Sequence, residues 1–398
     1  MDTALPHEIA PQPAGPVAIP SRRVWPALLF PHAESELPAI ISALPSAAWA
    51  WLAAEAGAHG LAPLLYATLQ AHDLLSACPE TVQGELRAQY KHATLLAMQR
   101  EGELRRVLAA LAAAQIQPVV FKGAYLAHAV YPSPGCRPMG DSDLWVTHDE
   151  MPDAVAALAS LGYRLRERSE RPHALTRETD GEVQMLPGRP GQNLIELHWG
   201  VFPGEWLART AAVDRAGVRT RVRTVTIATQ PVLALAPEDA LIQLAVHMGI
   251  SHQMSLHPLR SLVDIALLAQ QGIDWPVVVE RARAWRVGAV VGTVLALASD
   301  LFDLPELASP AAALAPPAWQ RRLLRRFVTP ETILARPDLS SQKSRFFYLL
   351  SVTDRPIDAA NLLLRAVWPE RRWLAARYGQ AGLRVRARHA AGALRGQI

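Results

Sequence analysis

The stretch Arg137-Pro-Met-Gly-Asp-Ser-Asp-Leu-Trp-Val146 decides the reading of this chain. Asp141 and Asp143 stand two residues apart at the start of an apolar run. Side chains alternate along a strand, so both carboxylates take the same face, about 7 Å apart at their Cα atoms. Two carboxylates so placed can share magnesium, which wants hard oxygen ligands and keeps open positions for water and phosphate. A carboxylate pair with metal can align a triphosphate and stabilise both the attacking and the leaving oxygen. An isolated Asp-x-Asp carries little weight, so the neighbours matter.

Upstream, Ile116-Gln-Pro-Val-Val-Phe121 reads as a short strand, followed by Lys122-Gly123 and a helix over Ala124 to Val130. Glycine there lets backbone approach a phosphate, and a helix N-terminus favours anions. Only three lysines occur, Lys91, Lys122 and Lys343, against thirty-seven arginines, so the position of Lys122 is informative. Arg137, four residues before Asp141, suits bidentate contact with phosphate or with a carboxylate. Downstream, Leu194-Ile-Glu-Leu-His-Trp199 alternates, with Glu196 and His198 on one face. An acid inside an apolar strand is costly unless paired or metal-bound, so Glu196 is a candidate third ligand or general base. Lys122, Gly123, Arg137 and His198 are the candidate nucleotide contacts.

The flanks are helical. Leu37 to Leu44, Ala47 to Ala56, Pro63 to Leu75 and Val82 to Ala114 show apolar residues at three-to-four spacing. Asp149 to Leu161 reads as a helix stopped by Gly162. Tyr163 to Arg168, Glu182 to Leu186 and Leu194 to Trp199 are strand candidates. Helices resume at Pro237-Glu-Asp, where proline and acids mark a start. The organisation expected is a flexible arm over 1–20, which holds five prolines, and an N-terminal helical region over 21–115. An α/β core follows over 116–230, then a helical domain over 231–330 and a C-terminal helical arm with a basic tail over 331–398. The fold class expected is α+β, dominated by helix.

Composition excludes several classes. A formal charge of +4 gives no strong nucleic-acid signal. Cys78 and Cys136 exclude a disulfide scaffold, and the N-terminus has no signal-peptide pattern. The longest apolar stretch, Val287 to Ala298, is short of the ~20 residues of a membrane span. A cytoplasmic setting is expected. No lysine follows a glycine, so there is no P-loop, and no Gly-x-Gly-x-x-Gly, Gly-x-Ser-x-Gly or His-Glu-x-x-His occurs. His247, His252 and His257 recur every five residues. On an α-helix that spacing turns ~140° per step, so the three are not expected to share a face. The arginine-rich tail, Arg371 to Arg395, reads as a solvated face or as a contact for an anionic partner.

The order Phe121-Lys-Gly123, Arg137-x-Met-x-Asp-x-Asp143, Glu196-Leu-His-Trp199 resembles the bacterial uncharacterised nucleotidyltransferase family, a branch of the polymerase-beta-like superfamily. Ala58 to Tyr66, Pro237 to His247 and Leu259 to Ala266 extend the resemblance to about residues 22–380. It implies a small mixed sheet flanked by helices, with Asp141 and Asp143 as metal ligands and Glu196 in the third carboxylate position. Most of that superfamily carries Gly-Ser or Gly-Gly in the phosphate turn, where this chain has Lys122-Gly123. The implied activity is Mg2+- or Mn2+-dependent transfer of a nucleoside monophosphate from a nucleoside triphosphate to an unidentified small molecule, peptide or protein, releasing pyrophosphate. A metal-dependent glycosyltransferase using a nucleotide sugar, and a non-catalytic nucleotide-binding subunit of a biosynthetic complex, are the alternatives. The first leaves the strand, Lys-Gly and helix unexplained, and the second leaves the intact carboxylates unexplained.

Overall fold

The computed structural model describes residues 25, 41, 43–166, 181–335 and 342–395. The expected arm over 1–20, most of the helix read over Leu37 to Leu44, and Glu167 and Arg168 of the strand read from Tyr163 lie outside them. Three helices come first: α1 (Ser46–Ala58), α2 (Ala62–Ala71) and the long α3 (Glu80–Ala113). The core then runs β1 (Val119–Phe121), α4 (Lys122–Ala129), β2 (Asp141–Trp145), α5 (Met151–Ser160), β3 (Arg164–Leu165), β4 (Glu182–Leu186) and β5 (Leu194–His198). Two short helices, α6 (Glu205–Thr210) and α7 (Arg215–Thr220), lead into the hairpin β6 (Arg223–Ile227) and β7 (Gln230–Ala234). Helices α8 (Pro237–Val246), α9 (Pro258–Ala269), α10 (Trp275–Ala284) and α11 (Gly288–Phe302) follow, and further helices continue to Arg395. The class is α+β and helix-dominated, as the sequence implied.

The strands form one mixed sheet in the order β3-β4-β5-β2-β1-β7-β6. β2 pairs antiparallel with β1 and parallel with β5, and β7 lies parallel to β1. The hairpin was not legible in the sequence. Its turn residues Ala228 and Thr229 both take positive φ, 54° and 65°. Turns of that kind are signalled by Asn-Gly or Asp-Gly, and Ala-Thr carries no such mark. The sheet consequently runs on to Ala234.

The two sheet faces differ sharply. Val120, Leu144, Val146, Met185, Ile195 and Leu197 form one face. It packs on Leu104, Val107 and Leu111 of α3 and on Ala154 and Leu158 of α5. Both helices present apolar residues at the spacing that makes a stripe. α5 ends as its sequence demands, with Gly162 at φ 92°. The opposite face carries the acids. Alternation along β2 and β5 dictates this, because burying Leu144, Ile195 and Leu197 forces Asp143, Glu196 and His198 to the other side.

Pro237, Glu238 and Asp239 do start a helix. Asp239 is fully buried and holds Arg221 and Arg281, at 3.0 and 2.9 Å, so it ties the hairpin side of the core to α10. No helix among the described residues is long and apolar enough to cross a membrane.

Candidate active site

Strand register assembles the site. Phe121 of β1 lies opposite Asp143, Asp143 beside Glu196, and Glu196 beside Gln184 of β4. One step along, Trp145 lies beside His198 and His198 beside Glu182. This face forms one wall of a cleft of about 570 Å³. The other wall comes from α9 and the segment before it, through His247, His252, His257, Arg260 and Asp264.

Asp143 is the buried hub. Its Oδ1 accepts from Lys122 Nζ at 2.8 Å and from His198 Nε2 at 2.9 Å. Burial alone would raise its pKa. The Lys122 charge and the His198 hydrogen bond outweigh that and hold the carboxyl well below the usual carboxylate range. Burial works against the Lys122 ammonium too, but Asp143, Glu196 and Glu182 together raise it. Glu196 is pushed up to about 8, by burial first and then by the charges of Asp143 and Glu182. Asp141 is raised by burial and by Asp143. Gln184 Nε2 donates to Glu196 Oε1 at 2.7 Å.

Every residue singled out in the sequence falls here, though not always in the expected posture. Asp141, Asp143, Glu196, Lys122, Gly123 and Arg137 all line the cleft. The Lys122 ammonium is occupied by Asp143, and its backbone takes a left-handed φ of 51° just where α4 begins. Arg137 is held by Asp264, Nε to Oδ1 at 2.8 Å and Nη2 to Oδ2 at 2.7 Å. Its Nη1 lies 2.8 Å from where a Cβ on residue 123 would stand, which is why that position needs glycine. His198 is completely buried beneath the cleft and edge-on to Phe121, so it supports Asp143 from below. Among the described residues, the group whose donor atoms all lie within 4.8 Å of one another is Asp143, Glu196 and His198; Asp141 is not part of it.

Sequence reading missed Asp264, Glu182 and Gln184. Asp264 carried the signal that exposed Glu196, an acid inside an apolar run, Leu262-Val-Asp-Ile-Ala266. Glu182 and Gln184 could have been found by alternation on β4.

The histidine spacing needs correction. Residues 247–251 form a π-turn, with the His252 N–H donating to the His247 carbonyl at 2.9 Å. Five-residue spacing then places side chains one above the other, and the His247 and His252 rings lie 4.1 Å apart on the cleft wall. The ~140° step assumed an α-helix, which this segment is not. Burial, then the nearby Lys122 charge, lowers the His252 pKa to about 4. Gly249 permits the turn: a Cβ there would meet Val290 Cγ2 at 2.2 Å. Gly249→Ala should cost about 1–3 kcal/mol through overpacking. Urea unfolding measures this, and an unchanged midpoint would show that the turn repacks freely.

Residues 45–303 match the sequence profile of the family described as an uncharacterised nucleotidyltransferase. The chain belongs to this family. The matched span takes in the sheet, the cleft and the helices through α11. Two solved structures align with parts of it. One is the antibiotic-resistance factor ANT(2'')-Ia, at 17% identity over 46% of this chain and 89% of that one, with a TM-score of 0.32. The other is a nucleotidyltransferase-like protein from Paracoccidioides brasiliensis, at 17% identity over 58% of this chain and 95% of that one, with a TM-score of 0.31. No curated protein matches this chain at a significant level.

Proposed function

We propose that this protein moves a nucleoside monophosphate from a nucleoside triphosphate to an acceptor hydroxyl, in the cleft walled by β2 and β5. One observation carries the reading. Two adjacent parallel strands present Asp141, Asp143 and Glu196 to the cleft beside the start of α4 at Lys122-Gly123. Of the five cleft acids, Asp141, Asp143, Glu182, Glu196 and Asp264, Glu196 keeps its proton at neutral pH, which leaves four carboxylates against the cations Lys122, Arg137 and Arg260. Such a wall repels a bare triphosphate and favours divalent cations.

The donor set fits magnesium or manganese. Asp141, Asp143 and Glu196 supply hard oxygen, and the carboxylates Glu182 and Asp264 stand in the same cleft. Bound there, the metal would neutralise charge on the phosphates and stabilise the attacking and leaving oxygens. The residues of the chain do the rest. Lys122 and His198 keep Asp143 ionised and fixed in direction. Gly123 makes room for the Arg137 guanidinium beside the N-terminus of α4, where the phosphates would lie. The acceptor oxygen bonds to the α-phosphorus as the bond to the bridging oxygen breaks. The hydroxyl proton passes to a cleft carboxylate, and pyrophosphate leaves with the bonding electrons.

The test is metal-dependent pyrophosphate release from the four nucleoside triphosphates, supplied with cell extract as the acceptor source. Release with magnesium or manganese, lost in Asp141→Ala, supports the reading. A pure preparation that neither binds nor turns over any triphosphate sinks it.

Metal binding should also carry a proton signature. With its pKa pushed up to about 8, Glu196 holds its proton at neutral pH, and a metal must displace it. Magnesium affinity should therefore climb with pH and level off above about 8. Nearly one proton should be released per ion at pH 7. Calorimetry in two buffers of different ionisation heat measures this. Affinity that stays flat between pH 6 and 9 would remove Glu196 from the ligand set.

A further inference from the structure

We infer that the C-terminal helices dock this protein onto an anionic membrane surface, through an arginine-framed apolar stripe. The helices are α16 (Pro356–Val367), α17 (Arg371–Tyr378) and α18 (Leu383–Arg395), named in chain order after α12 (Ala308–Ala313), α13 (Ala318–Leu324), α14 (Pro330–Ala335) and α15 (Gln342–Ser351). Residues 355–395 hold nine arginines against Asp358 and Glu370, a surplus of seven positive charges. The whole chain carries only +4, so the remainder is net negative by three.

The apolar half of the surface is equally distinct. Ile357, Ala360, Leu364 and Trp368 follow one another at intervals of three, four and four, which sets them on one stripe of α16 and its end. Ile357, Leu364 and Trp368 are 53%, 62% and 46% exposed, and no residue of α16 is buried. α18 lies alongside. Its Arg386 guanidinium stands 5.0 Å over the Trp368 ring, and one turn away Leu383 is 77% exposed. His389 locks the three helices together: its Nε2 donates to the Ala366 carbonyl at 3.1 Å, and its Nδ1 accepts from the Tyr378 hydroxyl at 2.9 Å. Arg371, Arg384 and Arg388, on the same two helices α17 and α18, are exposed as well.

Charge decides the occupant. A second copy of the chain would set one surplus of seven against another and be repelled. A nucleic-acid backbone would engage the arginines but leave the leucines and tryptophan in water. An anionic bilayer interface takes both, with arginines on lipid phosphates and leucine and tryptophan at the boundary of the acyl chains. No described helix spans a membrane, so the attachment is peripheral.

The experiment is sedimentation of the full chain with vesicles of phosphatidylcholine, alone or mixed with phosphatidylglycerol, at low and high salt. Partition onto the anionic vesicles should exceed that onto neutral ones at least tenfold, and high salt should lower it at least fivefold. The exposed-residue variants Leu364→Glu/Trp368→Ser and Arg384→Glu/Arg388→Glu should each lower it at least fivefold, with unchanged thermal melting. Failure to bind anionic vesicles, equal binding to both kinds, or variants that bind like the wild type would overturn the inference. So would retention on duplex DNA at the salt at which anionic vesicles are not bound.

Discussion

Asp143→Asn should lower metal-dependent pyrophosphate release at least ~1000-fold, a loss of about 4 kcal/mol of transition-state stabilisation. The same change should weaken the fold. Lys122 is 6% exposed, and its ammonium sits 2.8 Å from Asp143 Oδ1. Removing one partner of such a pair costs about 3–5 kcal/mol, because the other charge stays buried and uncompensated. The low end of that range applies here. Asp143 is one cause of the raised Glu196 pKa, so once its charge is gone Glu196 ionises more readily and takes over part of the balance for Lys122.

The two effects separate in a cycle. Lys122→Met/Asp143→Asn removes both charges, and its stability should return to within about 1 kcal/mol of the wild type. Its activity should remain lost. Urea unfolding and a pyrophosphate assay on the four proteins measure both axes. Asp143→Asn retaining a tenth of wild-type activity would take Asp143 out of the chemistry. A double variant no more stable than Asp143→Asn would mean that the buried pair is not the cause.

The pH dependence has a definite sign. The Asp143 pKa in the fold lies below its unfolded value of about 3.9, so its stabilisation is fully present above that value. It disappears as the pH falls through the lower folded value. The acid limb of the stability curve should be shallower in Asp143→Asn.

Asp264→Ala should be the most damaging change outside the acid face, at about 3–5 kcal/mol. Asp264 is 3% exposed and serves two partners: both of its oxygens hold Arg137, and Oδ1 also accepts from the Tyr131 hydroxyl at 2.7 Å. Burial opposes the Arg137 charge, and Asp264 more than restores it. Without Asp264, a buried guanidinium and a buried hydroxyl lose their acceptor together. Tyr131→Phe, which removes only the neutral donor, should cost about 0.5–1.5 kcal/mol. The contact joins the loop before β2 to α9, so it sets the distance between the two walls of the cleft. A coupling energy between Arg137 and Asp264 below about 0.5 kcal/mol, measured by double-mutant cycle, would show that the bidentate contact does not tie the walls together.

Much of the acid face is legible in the amino-acid order alone. Period-two alternation in Asp141 to Val146 and in Leu194 to Trp199 settles which residues share a side, because the pleat allows no other arrangement once the leucines and isoleucine are buried. The succession of motifs carries the family resemblance, and the helix stop at Gly162 and the helix start at Pro237 are local events with local causes. The β6–β7 hairpin escaped because its turn is written with alanine and threonine. The histidine pair escaped because a π-turn changes the angular step that converts spacing into facing.

Single residues thus determined what kinds of groups this protein would gather: carboxylates on a strand face, a rare lysine at a helix start, an arginine before the acids. Only the tertiary structure decided which cation meets which acid. Lys122 answers Asp143 across 21 positions, and Arg137 answers Asp264 across 127. Periodicity is a property of the chain within one element and can be read from it. A charge buried in the interior must instead find its partner among whatever elements fold against it, and that choice exists only once the walls have closed.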